Sequence, residues 1–217
     1  MKTHTEPTWQ IAFRSLFVRT VIYTLLIGLI AQGAYWEAKY LPAVRFSELG
    51  FTEFMQTLVL ATACLLLVYA RHVLRVWPNV TLLLLAFIAA SLVREQDHFL
   101  DAYVAEHTWK ILVTLIVIPS ITWAVIQRRH FLAEFSHYSN TLSLGLFTAG
   151  VLTTYIFSRL FGRQAFWQTV MQEHYTRDVK DMAEEVVELL GYSMILIAMV
   201  ELVLLARRIY RTRLAST

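Results

Sequence analysis

Charge is scarce in this chain. Only 16% of its 217 residues are charged, whereas 57% are hydrophobic, and soluble domains carry charge on about a quarter of their residues. A soluble protein needs enough polar surface to cover its core, and this composition leaves an apolar excess that most simply faces lipid. The scarcity of charge therefore argues against an ordinary soluble domain and indicates a membrane protein whose first partner is the lipid bilayer.

Cysteine, glycine and proline are also few. The single cysteine, Cys64, cannot form a disulfide within the chain, and it excludes a Cys-x-x-Cys metal motif. Seven glycines and four prolines are too few for a linker-rich or disordered chain. The net charge is +3, but the basic residues are spread over loops and helix ends, as membrane topology requires. No nucleic-acid motif is present, so no nucleic-acid partner is expected.

Six apolar runs are long enough to cross the ~30 Å hydrocarbon core of a bilayer as helices. They lie at about residues 16–36, 51–70, 76–93, 111–127, 141–158 and 186–206. The first run lacks a good signal-peptide cleavage site, so we expect it to be retained as a helix. The sequence therefore predicts an all-α, single-domain, polytopic transmembrane helix bundle of six spans formed by residues 1–217.

Basic residues are unevenly distributed between the two sides of this predicted bundle. Six spans place both termini on one side, which collects eleven of the nineteen lysines and arginines: Lys2, Arg14, Arg19, Arg71, Arg75, Arg128, Arg129, Arg207, Arg208, Arg211 and Arg213. Lysine and arginine are enriched in cytoplasmic loops. The distribution therefore predicts cytoplasmic termini and a multi-pass protein of the bacterial inner membrane.

The opposite, outer face collects acidic residues from spans that are far apart in sequence. Glu53 begins the second span, the charged segment 94–101 follows the third, and Glu185 and Glu188 begin the sixth. Only the topology brings these groups to one face of the membrane. This convergence is the strongest functional signal in the sequence.

One hypothesis for this face is a divalent metal ion or an acid/base site. Glu95 and His98 are three residues apart, as are Glu185 and Glu188, and this spacing puts side chains on one face of a helix. The candidate ligands are Glu53, Glu95, His98, Glu185 and Glu188. A di-iron site would need a second Glu-x-x-His motif. Glu95, His98 and Glu188 are also candidate catalytic groups that act on a lipid-linked or periplasmic substrate.

Two alternatives stay open, and the sequence does not decide whether the protein is an enzyme. In one, Arg94, Asp97 and Asp101 form structural ion pairs within an assembly subunit, either of a homo-oligomer or with a partner membrane protein. In the other, Glu201 moves ions or protons across the membrane, because an acid inside an apolar span is costly unless it is paired or solvated. Arg19 lies at a similar depth, so we expect it to pair with Glu201.

Three helix-end motifs resemble those of small polytopic bacterial inner-membrane proteins to which no function is assigned. They are TEFMQ (Thr52–Gln56), REQDHFLD (Arg94–Asp101) and EEVVELLGY (Glu184–Tyr192). This resemblance implies no activity. The membrane hydrolases that include the alkaline ceramidases fit less well, because they have seven spans and a late His-x-x-x-His zinc motif that this chain lacks.

Overall fold

The computed structural model describes residues 11–40 and 50–215, and these two ranges contain helices and turns but no strand. Nine helices occur within them: α1 Phe13–Tyr40, α2 Phe51–Leu74, α3 Pro78–Arg94, α4 Asp97–Tyr103, α5 Thr108–Ile126, α6 Arg128–Tyr138, α7 Leu142–Phe161, α8 Gln164–Met171 and α9 Arg177–Ala215. A short 3-10 turn, Gln172–His174, precedes α9. The predicted all-α class is confirmed for this part of the chain.

Five of these helices are long and apolar enough to cross a membrane, namely α1, α2, α5, α7 and α9. A sixth candidate combines α3 with α4, which are bent by 58° at the break between them. Each apolar run in the sequence therefore corresponds to one helix or to this bent pair. The last helix begins at Arg177, before the start of the sixth apolar run. Its first turns are polar, so the apolar run marks only the later part of the helix.

Helix α9 forms the centre of the bundle. It packs against α7 and α2, while α3 packs against α2 and α5. The shared core includes Leu60 and Leu67 of α2, Ile88 of α3, and Met199 and Leu202 of α9, all almost inaccessible to solvent. These side chains recur at helical spacing and give each helix an apolar stripe facing its neighbours. The resulting core separates the polar groups at the two ends of the bundle.

Two glycines allow α7 and α9 to approach each other closely. A Cβ atom added at Gly150 would lie 2.7 Å from the backbone oxygen of Gly191, and one added at Gly191 would lie 2.9 Å from the backbone oxygen of Gly150. Both distances are too short for a carbon–oxygen contact. Small residues serve this purpose at helix crossings in membranes. Gly145, also on α7, has open space around it.

A π-helical turn, Leu152–Phe157, lies within α7 just after this crossing. A π turn adds a residue to the helical repeat and thereby rotates the side chains that follow. Thr154 and Ser158 face α9, where each contacts Glu188. Tyr155 faces α3. The turn therefore directs polar groups of one helix towards two different neighbours.

Two polar clamps hold α1 against the bundle. At one end, the carboxylate of Glu201 accepts hydrogen bonds from Arg19 (2.8 Å) and from the hydroxyl of Tyr23 (2.6 Å). At the other end, Glu37 accepts hydrogen bonds from the backbone N–H (2.9 Å) and the hydroxyl (2.5 Å) of Thr52, which caps the first turn of α2. The ion pair that the sequence predicts between Arg19 and Glu201 is thus present.

Glu134 of α6 caps the first turn of α3. Its carboxylate accepts hydrogen bonds from the backbone N–H groups of Asn79 (2.8 Å) and Val80 (3.0 Å) and from the side-chain amide of Asn79 (2.8 Å). The first N–H groups of a helix have no acceptor within the helix, and the helix dipole favours a negative charge there. This contact fixes α6 across the end of the bundle that lies opposite Arg94.

Candidate functional site

An open cleft of about 210 Å³ lies where the ends of α2, α3 and α7 meet the first turns of α9. Its lining contains five carboxylates, two guanidinium groups and one indole, from Glu53, Glu95, Asp97, Glu185, Glu188, Arg94, Arg159 and Trp109. We call it the acidic cleft. Four of the five metal-ligand candidates line it together, although they come from three widely separated stretches of sequence.

Arg94, the last residue of α3, forms ion pairs with two of the carboxylates in the acidic cleft. Its guanidinium group lies 2.6 Å from the carboxylate of Glu95 and 3.5 Å from that of Glu188. The hydroxyl of Tyr192 donates a hydrogen bond to Glu95 (2.7 Å) and accepts one from Arg94 (3.2 Å). The guanidinium group also lies over the ring of Tyr155, 5.6 Å from its centre. Arg94 therefore connects α3 with both α7 and α9.

Arg159 extends this network along α9. Its guanidinium group contacts the carboxylate of Glu188 at 2.8 Å and also pairs with Glu184. Lys180 approaches Glu184 at 2.5 Å, and the hydroxyl of Ser158 donates a hydrogen bond to Glu188 (3.3 Å). Only 2% of Glu188 is exposed. Its two guanidinium partners and the hydroxyl offset the cost of taking its charge out of water.

Glu185 is held by a neutral group. The side-chain amide of Gln56, which is fully buried, donates hydrogen bonds to the carboxylate (2.9 Å) and to the backbone oxygen (3.3 Å) of Glu185. Two buried atoms beside the cleft, Gln56 Oε1 and Arg94 Nε, have no hydrogen-bond partner among the described residues. An unpartnered buried polar atom costs about 1–3 kcal/mol.

The cleft is lined by more carboxyl groups than guanidinium groups. Its five carboxylates outnumber its two guanidinium groups by three, and both guanidinium groups already contact Glu95, Glu184 or Glu188. Walls of low dielectric constant concentrate the field of such a charge cluster inside a cleft. The electrostatics of the acidic cleft consequently favour a cation.

His98 does not line the acidic cleft. The expected sharing of one helical face by Glu95 and His98 does not hold, because α3 ends at Arg94 and the chain bends before α4 begins at Asp97. The exposed imidazole of His98 instead lies beside the ring of Phe99, with the ring centres 6.0 Å apart. The catalytic role of His98 remains a prediction that this geometry does not support.

The carboxylates of the cleft do not converge on a common point. Within residues 11–40 and 50–215, no group of three or more His, Cys, Asp or Glu side chains is arranged to hold a metal ion. Guanidinium groups occupy the positions between Glu95, Glu184 and Glu188 instead. A metal ion bound to the candidate ligands therefore remains a prediction without geometric support.

The remaining structural candidates have different positions. Asp97 lines the acidic cleft. The carboxylate of Asp101 accepts a hydrogen bond from the backbone N–H of His107 (2.9 Å), so its contact closes a turn after α4. Arg94 forms the ion pairs with Glu95 and Glu188 described above, so the structural ion pairs predicted for it are present. The pair of Arg19 with Glu201 lies at the other end of the bundle.

Two contributors to the network escaped the sequence analysis. Arg159 lies just beyond the predicted fifth span and Tyr155 lies within it, and the sequence pattern assigns neither residue to the site. The hydroxyl of Tyr155 forms a hydrogen bond with that of Ser91 (2.5 Å). Both residues lie after the start of the π-helical turn in α7, so regular α-helical spacing assigns their side chains to a different face of the helix from the one they occupy. The position of Arg159, at the same end of its span as the acidic residues, is the signal in the sequence that points to its role.

Compared with protein-family models, curated proteins and solved structures, the chain matches none of them. Over residues 11–40 and 50–215 the fold is all-helical, with five or six helices long and apolar enough to cross a membrane. The argument for function therefore rests on the acidic cleft itself.

Proposed function

We propose that the protein crosses a bacterial inner membrane six times, with α3 and α4 together forming one span and both termini in the cytoplasm. Basic residues support this orientation. Arg75 follows α2, Arg128 and Arg129 begin α6, and Arg207 and Arg208 lie near the end of α9. All are at the end of the bundle opposite the acidic cleft. The cleft then faces the outer side.

In this orientation the acidic cleft binds the ammonium group of a small organic cation. The observation that carries this proposal is the excess of three carboxylates over guanidinium groups around one open cleft. An ammonium group offers up to three N–H donors, and carboxylates accept them in strong, charge-assisted hydrogen bonds. The side-chain amide of Gln56 holds the carboxylate of Glu185 at the wall of the cleft. Arg94 and Arg159 keep the surrounding carboxylates in place.

The size of the cleft favours an organic cation over a bare metal ion. A volume of about 210 Å³ is many times the ~10–15 Å³ that a cavity needs in order to hold one water molecule. Dispersed carboxylates suit a ligand of several atoms, whereas a metal ion needs ligands that converge on a point. Glu95 and Glu188 are both engaged by Arg94 and are thus positioning groups in this proposal.

The contacts of Glu201 favour a structural role over ion or proton transport. Between Tyr192 and Glu201, α9 presents Ile195, Ala198 and Met199 to its neighbours, and all three are almost completely buried. Glu201 itself is engaged by α1. Its contacts support a structural role in holding that helix.

A Glu185→Gln variant should bind a small ammonium compound at least tenfold more weakly than the wild type. The substitution removes one charge from the cleft but keeps the size of the side chain, and a charge-assisted hydrogen bond contributes about 1.5–3 kcal/mol. Isothermal titration of detergent-purified protein with ethanolamine measures the change. Thermal unfolding of the same samples checks that the fold is retained.

Glu173→Gln is the matched control for this experiment. Glu173 is an exposed carboxylate in the turn before α9 and does not line the cleft. Its substitution removes the same charge and should leave the affinity for ethanolamine unchanged. Equal weakening in both variants, or no binding to the wild type, would contradict the proposed function.

A further inference from the structure

A second cleft adjoins the acidic cleft and differs from it in character. It has a volume of about 250 Å³ and is lined by two phenylalanines, two carboxylates and three other residues, namely Phe54, Phe99, Glu53, Glu95, Gly50, Thr57 and Gln96. We call it the aromatic cleft. Glu53 and Glu95 line both clefts. The two clefts therefore meet at these carboxylates.

The aromatic cleft is open on its apolar side. Phe54 is 63% exposed and Phe99 is 41% exposed, so two large rings flank it without being buried by the bundle. Its base is closed by a hydrogen bond from the side-chain amide of Gln96 to the hydroxyl of Thr57 (2.7 Å). This bond connects α2 to the bend between α3 and α4. An apolar chain can consequently lie against the rings without displacing core side chains.

The two clefts together form a surface that is complementary to an amphiphile. One part is acidic and selects a positive group, while the adjoining part is aromatic and favours contact with an apolar chain. A small soluble cation would fill only the first part. Glu53 and Glu95, which line both clefts, lie where the polar part of this surface meets its aromatic part.

We infer that the natural ligand of this site is a lipid with a primary ammonium head group. This inference rests on the proposed function, because it assigns the ammonium ion in the acidic cleft to a lipid. The chain leaves the cleft between Phe54 and Phe99 and continues into the outer leaflet. The bend between α3 and α4 provides the opening, since it displaces α4 from the line of the span.

The test compares a short-chain phosphatidylethanolamine with ethanolamine in titrations of the detergent-purified protein. The wild type should bind the dihexanoyl lipid at least tenfold more tightly than ethanolamine. Replacing both Phe54 and Phe99 with alanine should reduce this preference to less than threefold and leave ethanolamine binding unchanged. Phe17→Ala, which removes an exposed ring from α1, should alter neither affinity.

The outcomes separate the inference from the proposed function. An unchanged lipid preference in the double variant, with ethanolamine still bound, would overturn the inference alone. Equal binding of dihexanoyl phosphatidylglycerol, which lacks the ammonium group, would also overturn it. If the wild type binds neither ethanolamine nor the lipid, the proposed function fails and the inference fails with it.

Discussion

An Arg94→Ala variant is expected to lose about 3 kcal/mol of folding free energy, near the lower limit for removing one partner of a buried ion pair. The substitution leaves Glu95 without a cation and Glu188 with Arg159 alone. The side chain of Arg94 is 29% exposed, so water reaches part of the site and keeps the loss at that lower limit. Unfolding of the purified protein, monitored by circular dichroism, measures the change.

Two further variants identify the origin of this effect. Arg163→Ala removes an exposed arginine from the connection after α7 and should change stability by less than about 0.5 kcal/mol. Adding Glu95→Gln to Arg94→Ala neutralises the carboxylate that lost its cation and should recover part of the stability. Equal stability of the Arg94→Ala and Arg163→Ala variants would contradict the account of the network.

A Gly191→Ala variant should be destabilised by about 1–3 kcal/mol, the usual cost of overpacking a core. The added methyl group would overlap the side chain of Thr154 and lie 2.9 Å from the backbone oxygen of Gly150. Helices α7 and α9 must then separate, which also moves Ser158 and Arg159 away from Glu188. Thermal unfolding reports the loss of stability, and a decrease in ethanolamine affinity reports the movement of the cleft wall.

Gly145→Ala is the control for the crossing of α7 and α9. Gly145 lies on α7 with no atom within 4 Å of an added Cβ, and alanine is a better helix former than glycine by about 1 kcal/mol. This variant should be as stable as the wild type or slightly more stable. If the Gly191→Ala protein were as stable as the Gly145→Ala protein, the stability of the fold would not depend on close contact between α7 and α9.

The sequence was sufficient to predict the helices and part of the candidate site. Apolar runs of the right length identify spans because a bilayer requires them. Alternating the direction of successive spans then brings Glu53, Glu95 and Glu188 to one end. The pair of Arg19 with Glu201 followed from the depth of each residue in its span. All these predictions depend on distance along a helix axis.

The contacts that sequence could not predict depend on rotation about helix axes or on helix breaks. The break after Arg94 has no glycine or proline to mark it, and contacts of Glu95 with α9 and of Gln96 with α2 accompany it. Because of this break His98 does not share a helical face with Glu95. In α7 the π-helical turn changes the direction in which the side chain of Arg159 points around the helix axis. Tertiary contacts override local helical periodicity at both places.

The central claim is that the acidic cleft faces outward and holds an ammonium group. Labelling of a cysteine introduced at Trp109, at the rim of the cleft, tests both parts in one measurement. The variant also carries Cys64→Ser, because Cys64 is the only native cysteine. Intact cells are treated with a thiol reagent that does not cross membranes, with and without ethanolamine.

The account predicts that the cysteine at position 109 is labelled in intact cells and that ethanolamine slows the labelling at least threefold. Labelling only after the membrane is made permeable would contradict the outward orientation of the cleft. A rate that ethanolamine does not change would contradict the binding of an ammonium group beside Trp109.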